Sequence, residues 1–411
     1  MARRGWRAIA AACAAGLIWS GPAALAATRT APPGTTTASG SLPGPRPGCP
    51  PQPGVPAPAG EPWAQQALRF SAVWDRTRGS GVTVAVVDSG VDANPQFGDR
   101  VIPGPDLVAG TRPGIPPGAD CVGHGTAVAS IIAAAPVPGV SFTGVAPAAR
   151  ILSVKISGTD SFPTSAAPQG IMDAVQFGAD VINLSLATPD DVPALRNAVE
   201  YALRHNVVVV AAAGNDVRNG GTDGSGGADG SGPFYPASYP GVLAVGAAGP
   251  GGALAGFSDR RTPVAVTAPG VNVTSAYPGT FPDAYAPAQN GTSFASAFVA
   301  GVVALVRSAH PELNPAQVVA RIEATAHGPA GPGTGHGLVD PVRAVTAALP
   351  AASPGGGSAS TGSTSPNTVA VIAGSAGLGV VVVAAVLAVS AVRRRRTGQP
   401  PGAGPSGRHA R

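Results

Sequence analysis

Apolar residues in the middle of this chain come in short blocks, and each block stops abruptly at a small polar residue. "GVTVAVVDSGVD" is apolar from Val82 to Val87 and ends at Asp88, "VINLSLATP" covers Val181 to Pro189, and "VVVVAAAGN" covers Val207 to Asn215. Near-continuous apolar runs of this length predict strands buried on both faces, as in a parallel sheet covered by helices. Two further blocks, after His124 in "DCVGHGTAVASIIAAA" and after Ser293 in "NGTSFASAFVAGVVALVRSAHP", are rich in Ala, Val and Gly and predict tightly packed helices. The pattern gives an α/β fold class with a mainly parallel central sheet and helices on both faces.

The two ends follow other patterns. Arg3, Arg4 and Arg7 precede an apolar stretch from Ala8 to Trp19, with small residues at Ala24 to Ala26, which predicts a secretory signal peptide over residues 1–27. From Thr368 to Val392 no charged residue occurs, so this run is long enough to cross ~30 Å of hydrocarbon as one helix. Arg393 to Arg396 follow it and, by the positive-inside rule, predict a cytoplasmic tail with the rest of the mature chain outside.

Composition and charge agree with that division. The chain has 411 residues, 44% of them apolar, enough for one large core, while 58 Gly and 45 Pro imply long linkers. Of its 26 basic residues nine lie in the signal segment and the tail, leaving 17 against 21 acidic ones between them. That middle part carries about −4, so the net positive charge argues for membrane topology and against nucleic acid as a partner.

Loss of the signal peptide removes Cys13 and leaves Cys49 and Cys121, an even number in an oxidising compartment, which predicts a disulfide between them. Closing a loop of this length stabilises a domain by roughly 4 kcal/mol in the chain-entropy model. It also fastens a Pro-rich stretch beside the residues around His124.

Asp88, His124 and Ser293 each have an ordinary structural explanation when taken alone, as a turn cap, a structural histidine and a helix N-cap. Together, in the order Asp, His, Ser and within D-S-G, H-G-T and G-T-S-x-A-S, they resemble the subtilisin-like serine proteases, over residues 63 to 348. The resemblance implies serine endopeptidase activity on protein or peptide substrates. Ser293 would be the nucleophile, His124 the base and Asp88 the group that holds the imidazole. It further implies Asn215 as the side-chain donor of the oxyanion hole. Ser185, Leu186 and Ala187 would pair with substrate, and Ala212, Ala213 and Gly214 would line the pocket for the residue before the scissile bond. Ala187 stands where many relatives have Gly, which narrows that pocket. No metal or cofactor is expected.

A narrower likeness is to the mycosins, membrane-anchored subtilases associated with type VII secretion in actinobacteria. It rests on "PWAQQALRFSAVWDRTRGSGVTVAVVDSGV", a Cys three residues before His124, "GVAPAARILSVKI", the Pro-rich extension and the C-terminal span followed by Arg. This implies a single-pass protein of the cell membrane, with its catalytic domain extracellular and a type VII secretion membrane complex as partner. A scaffolding role in such a complex is the competing expectation. The expected organisation is a signal peptide (1–27), Pro-rich extension (28–62), catalytic domain (63–349), Gly/Ser/Pro linker (350–367), span (368–392) and basic tail (393–411). Ala297 departs from the family's usual Pro, so the helix after Ser293 is expected to lack a bend. The extension, about 35 residues rich in Pro and Thr, is too short and polar for a folded inhibitory propeptide and is expected to be a permanent belt. The Gly- and Asp-rich loop from Asn215 to Phe234 reads as a surface loop, and "GHGLVDPVRAV" as a turn and closing helix.

Overall fold

Every residue of the first strand, β1 (Thr83–Asp88), is buried, and successive side chains face opposite layers. Val84 and Val86 join one apolar cluster, and Ala85 and Val87 join another. The computed structural model describes residues 49, 54–108, 115–159, 163–216, 232–278 and 284–349. The chain divides into two compact units, Met1–Ala348 and Leu349–Arg411, and the elements below belong to the first. The expected signal peptide, linker, span and tail lie outside the described residues, as do most of the extension and the loop 217–231.

β1 is flanked in the sheet by strands from both later parts of the chain. The remaining strands are β2 (Val101–Asp106), β3 (Arg150–Lys155), β4 (Val181–Leu184), β5 (Val208–Ala212), β6 (Leu243–Ala248) and β7 (Val266–Pro269). Their order is β2-β3-β1-β4-β5-β6-β7, with every neighbouring pair parallel. After β3 the chain crosses to the other side of β1 to form β4, so the order reverses beside the carboxyl end of β1. Such a switch point opens a crevice in which ligands collect.

One face of the sheet carries α1 (Trp63–Leu68), α2 (His124–Ala133), the long α5 (Thr292–Ala309), α6 (Pro315–Thr325) and α7 (Pro341–Thr346); α3 (Ala167–Gln176) and α4 (Pro193–Arg204) cover the other. α5 is long and apolar enough to cross a membrane by length and composition, but every residue from Thr292 to Arg307 is buried, as a core helix requires. It runs unbroken through Ala297. An antiparallel hairpin, β8 (Val273–Ala276) with β9 (Tyr285–Gln289), sits at one side of that layer. Val55, in the extension, exchanges two backbone hydrogen bonds of 2.8 and 3.2 Å with Tyr285 of this hairpin. At the far end, Asp340 caps α7 by accepting from the Arg343 N–H at 2.9 Å, matching the expected turn and closing helix.

Candidate active site

Asp88 closes β1 at the switch point, and His124 opens α2 above it. The Asp88 side chain is wholly buried, and its Oδ1 accepts from the Ser89 N–H at 2.7 Å and contacts His124 Nδ1 at 2.8 Å. A carboxylate accepts only, so the contact places the proton on Nδ1 and leaves Nε2 as the basic nitrogen of the neutral ring. The imidazole keeps 21% of its side-chain surface exposed, whereas the acid keeps none.

A second buried carboxylate fixes this pair. Asp120 Oδ1 accepts from Ser89 Oγ at 2.8 Å, Val122 N–H at 3.1 Å and Gly123 N–H at 2.7 Å. Its Oδ2 accepts from Thr126 N–H at 2.8 Å and Thr126 Oγ1 at 2.7 Å. Negative charge at the start of α2 is favoured by the helix dipole, and the five donors satisfy an ion that would be costly to bury alone. Ser89 Oγ in turn accepts from the Gly125 N–H at 2.9 Å, so the turn after β1 and the start of α2 are one network. From β3, the buried Lys155 reaches the Ala119 carbonyl next to Asp120. Sequence reasoning passed over Asp120; the signal was an acid just ahead of a helix start.

Ser293 is the second residue of α5, and its Oγ donates to the Ser185 carbonyl at 3.3 Å. The next side chain, Phe294, sets its ring 5.5 Å from that of His124. Asn215 follows β5, and its Oδ1 accepts from both Thr292 N–H and Thr292 Oγ1 at 3.0 Å. A backbone N–H can only donate, so this bond identifies the oxygen, and the amide Nδ2 is the donor end of the side chain. That nitrogen lies 3.7 Å from where a Cβ on Gly291 would stand, two residues ahead of Ser293 in the chain.

The expected substrate-binding segments leave neighbouring strands side by side. Ser185 and Leu186 are buried and Ala187 is half-buried, while Ala212, Ala213 and Gly214 are buried. Ser185 Oγ accepts from Asn183 Nδ2 at 2.9 Å, and the Ala213 N–H donates to Val245 O at 2.9 Å. Cys49 and Cys121 are bonded, with their α-carbons 5.0 Å apart, three residues ahead of His124. The structure thus brings Asp88 to His124, Ser293 to Ser185, and Asn215 to the start of α5.

Comparisons with known proteins identify the family and the fold. Residues 79–375 match the model of the subtilase family, Peptidase_S8. The chain is 36% identical to Mycosin-3 of Mycobacterium tuberculosis (strain ATCC 25618 / H37Rv) over 88% of each protein. It is 40% identical to Subtilisin E of Bacillus subtilis (strain 168) over 60% of this chain and 61% of that one. The solved structure of the MycP3 protease from the type VII (ESX-3) secretion system superposes with a TM-score of 0.60 at 34% identity, over 72% of this chain and 93% of that one. The chain belongs to the subtilase family and is a subtilisin-like serine endopeptidase of the mycosin type.

Proposed function

We propose that Asp88, His124 and Ser293 are the catalytic triad of this endopeptidase and that Asn215 supplies its oxyanion hole. The observation that carries the reading is the 2.8 Å contact between the buried Asp88 and His124 Nδ1, with Nε2 left as the base. Ser293 Oγ attacks the scissile carbonyl while His124 Nε2 takes its proton, and Asp88 stabilises the imidazolium that forms. The carbonyl oxygen becomes an oxyanion held by Asn215 Nδ2, the Ser293 N–H and the start of α5. Collapse gives an acyl group on Ser293 and an amine that leaves with the proton from His124. Water then enters, activated by the same imidazole, and releases the acid.

The same proposal places the catalytic domain at the outer face of the cell membrane, held by a span at 368–392 with a cytoplasmic tail, and working with a type VII secretion complex on protein substrates. Its support is the likeness to mycosins together with the run of uncharged residues before Arg393. Kinetics of Ser293→Ala, His124→Ala and Asp88→Asn test the triad. Each should lose at least about 10⁴ in kcat with the fold intact, the size known for triad members in serine proteases, subtilisin among them. Protease treatment of intact cells tests the placement, since it should digest the catalytic domain and spare a tag on the tail.

A further inference from the structure

Lys155 is the only lysine in the chain; the other 25 of its 26 basic residues are arginine. That one lysine is 5% exposed and ends β3 beside the end of β1. In the sheet it is the register partner of Asp88 on one side and of Asp106 on the other. Side chains alternate along a strand and neighbouring strands lie about 4.8 Å apart, so Ile151, Ser153 and Lys155 share the face of Val84, Val86 and Asp88. That face carries α2 and α5, so the ammonium lies on the side of the sheet where His124 meets Asp88.

Its hydrogen bond to the Ala119 carbonyl falls within a segment that is gripped one residue at a time. The Gly118 N–H donates to Asp106 Oδ2 at 2.8 Å, and the Asp120 N–H donates to Asp92 Oδ1 at 3.0 Å. Side chains from the ends of β2 and β3 and from the turn after β1 thus hold residues 118–120, and the Asp120 carboxylate carries the grip on to Val122, Gly123 and Thr126 around His124. Three acids of this arrangement, Asp88, Asp92 and Asp120, are buried, and Asp106 stands exposed at its rim. The cation buried with them is Lys155. Arg150 and Arg307 stand at the far ends of β3 and α5; the start of α5 brings Ser293 and Phe294, and the turn after β8 brings Tyr277. The segments on the Asn215 side carry Asp216 and the Asp259–Arg261 pair.

We infer that Lys155 is a positioning residue for the catalytic base: it holds residues 118–120 against the end of β1, and its buried charge offsets the carboxylates so that His124 stays neutral and able to take the Ser293 proton. The inference rests on the triad reading. Carboxylates around an imidazole favour its protonated form, and a protonated ring is no base. An ammonium beside them opposes that pull. It is a compact charge on a thin stem, whereas a guanidinium presents five donors in a rigid fork, which accounts for lysine at this one position in a chain that otherwise uses arginine.

The test is the rate of fluorophosphonate labelling at Ser293 as a function of pH, on the full chain in mild detergent, since that rate follows the fraction of His124 that is neutral. Lys155→Gln keeps an N–H donor for the Ala119 carbonyl and removes the charge. Its acid limb should move up by about one pH unit, which leaves labelling about tenfold slower than wild type at pH 6 and restores it as the pH rises. Lys155→Arg keeps the charge and should leave the limb in place, whatever it does to the maximal rate. Where the glutamine variant does not fold, the wild-type side chain serves: with [ε-13C]lysine the chain carries one labelled side chain, whose Cε resonance should show an inflection at the pH of the acid limb that vanishes in His124→Ala. An acid limb that stays in place in Lys155→Gln, or a Cε resonance without that inflection, overturns the inference alone. A folded wild-type chain with no His124-dependent label at Ser293 overturns the triad and the inference with it.

Discussion

Tyr277 donates its phenolic hydrogen to the carbonyl of Val122 at 3.0 Å, two residues ahead of His124. Its ring occupies the space where a side chain at residue 123 would stand, 2.4 Å from an ideal Cβ, and Gly123 has φ of +89°. The turn after β8 is thereby a backstop for the start of α2. A neutral hydrogen bond is worth about 0.5–1.5 kcal/mol, so Tyr277→Phe should lower kcat about 2- to 13-fold with little change in KM. Gly123→Ala should lose more activity, because the methyl group must displace the Tyr277 ring and alanine rarely adopts this φ. Steady-state kinetics of the two variants check both outcomes.

Asp120→Asn should destabilise the fold as well as the site. The amide keeps the shape but replaces an accepting oxygen with a donor that faces N–H and O–H donors from Ser89, Gly123 and Thr126. Leaving such buried groups unmatched costs about 1–3 kcal/mol, or roughly 2–12 °C in melting temperature for a domain of this size. Thermal unfolding followed by circular dichroism measures it.

Asn215→Ala removes the amide donor near the start of α5 and frees Thr292 from its acceptor. The kcat should fall by about 10²–10³ with KM nearly unchanged, which is the size known for the oxyanion-hole asparagine of subtilisin itself. A fall in affinity without a fall in kcat would instead give Asn215 a role in substrate binding.

Away from the site, burial pushes the Glu323 carboxyl above the usual carboxylate range, and His336 beside it opposes the shift. A carboxyl that holds its proton more tightly in the folded state costs nothing at pH below its unfolded value and costs stability as the pH rises through its folded one. Its place near the end of α6 adds to that cost, since the helix dipole disfavours an anion there. Glu323→Gln should therefore raise the melting temperature at pH 7, with a gain that shrinks toward pH 4. Thermal scans at the two pH values decide it.

What the sequence made legible were residues that local motifs place at the ends of strands and helices. Asp88, His124, Ser293 and Asn215 each sit in a short signature of that kind, and the expected loss of Cys13 with a signal peptide left Cys49 and Cys121 to pair by parity, as they do. The strands were legible because burial on both faces makes them apolar throughout, as in β1 and β5. β2 was not, because "VIPGPD" carries Pro103 and Pro105, which a sheet tolerates only where a strand lies at the edge, as β2 does. Asp120 and Tyr277 were illegible for a different reason. Their partners include residues 89 and 122, so their roles exist only after the turn and the hairpin have been brought together.

The most direct test of the account is mass-spectrometric mapping of a fluorophosphonate adduct on the full chain, alongside Ser293→Ala and His124→Ala. The account predicts a single adduct on Ser293 that is lost in both variants. An adduct on another serine, undiminished labelling of the His124→Ala variant, or no adduct on a folded wild-type chain would contradict it.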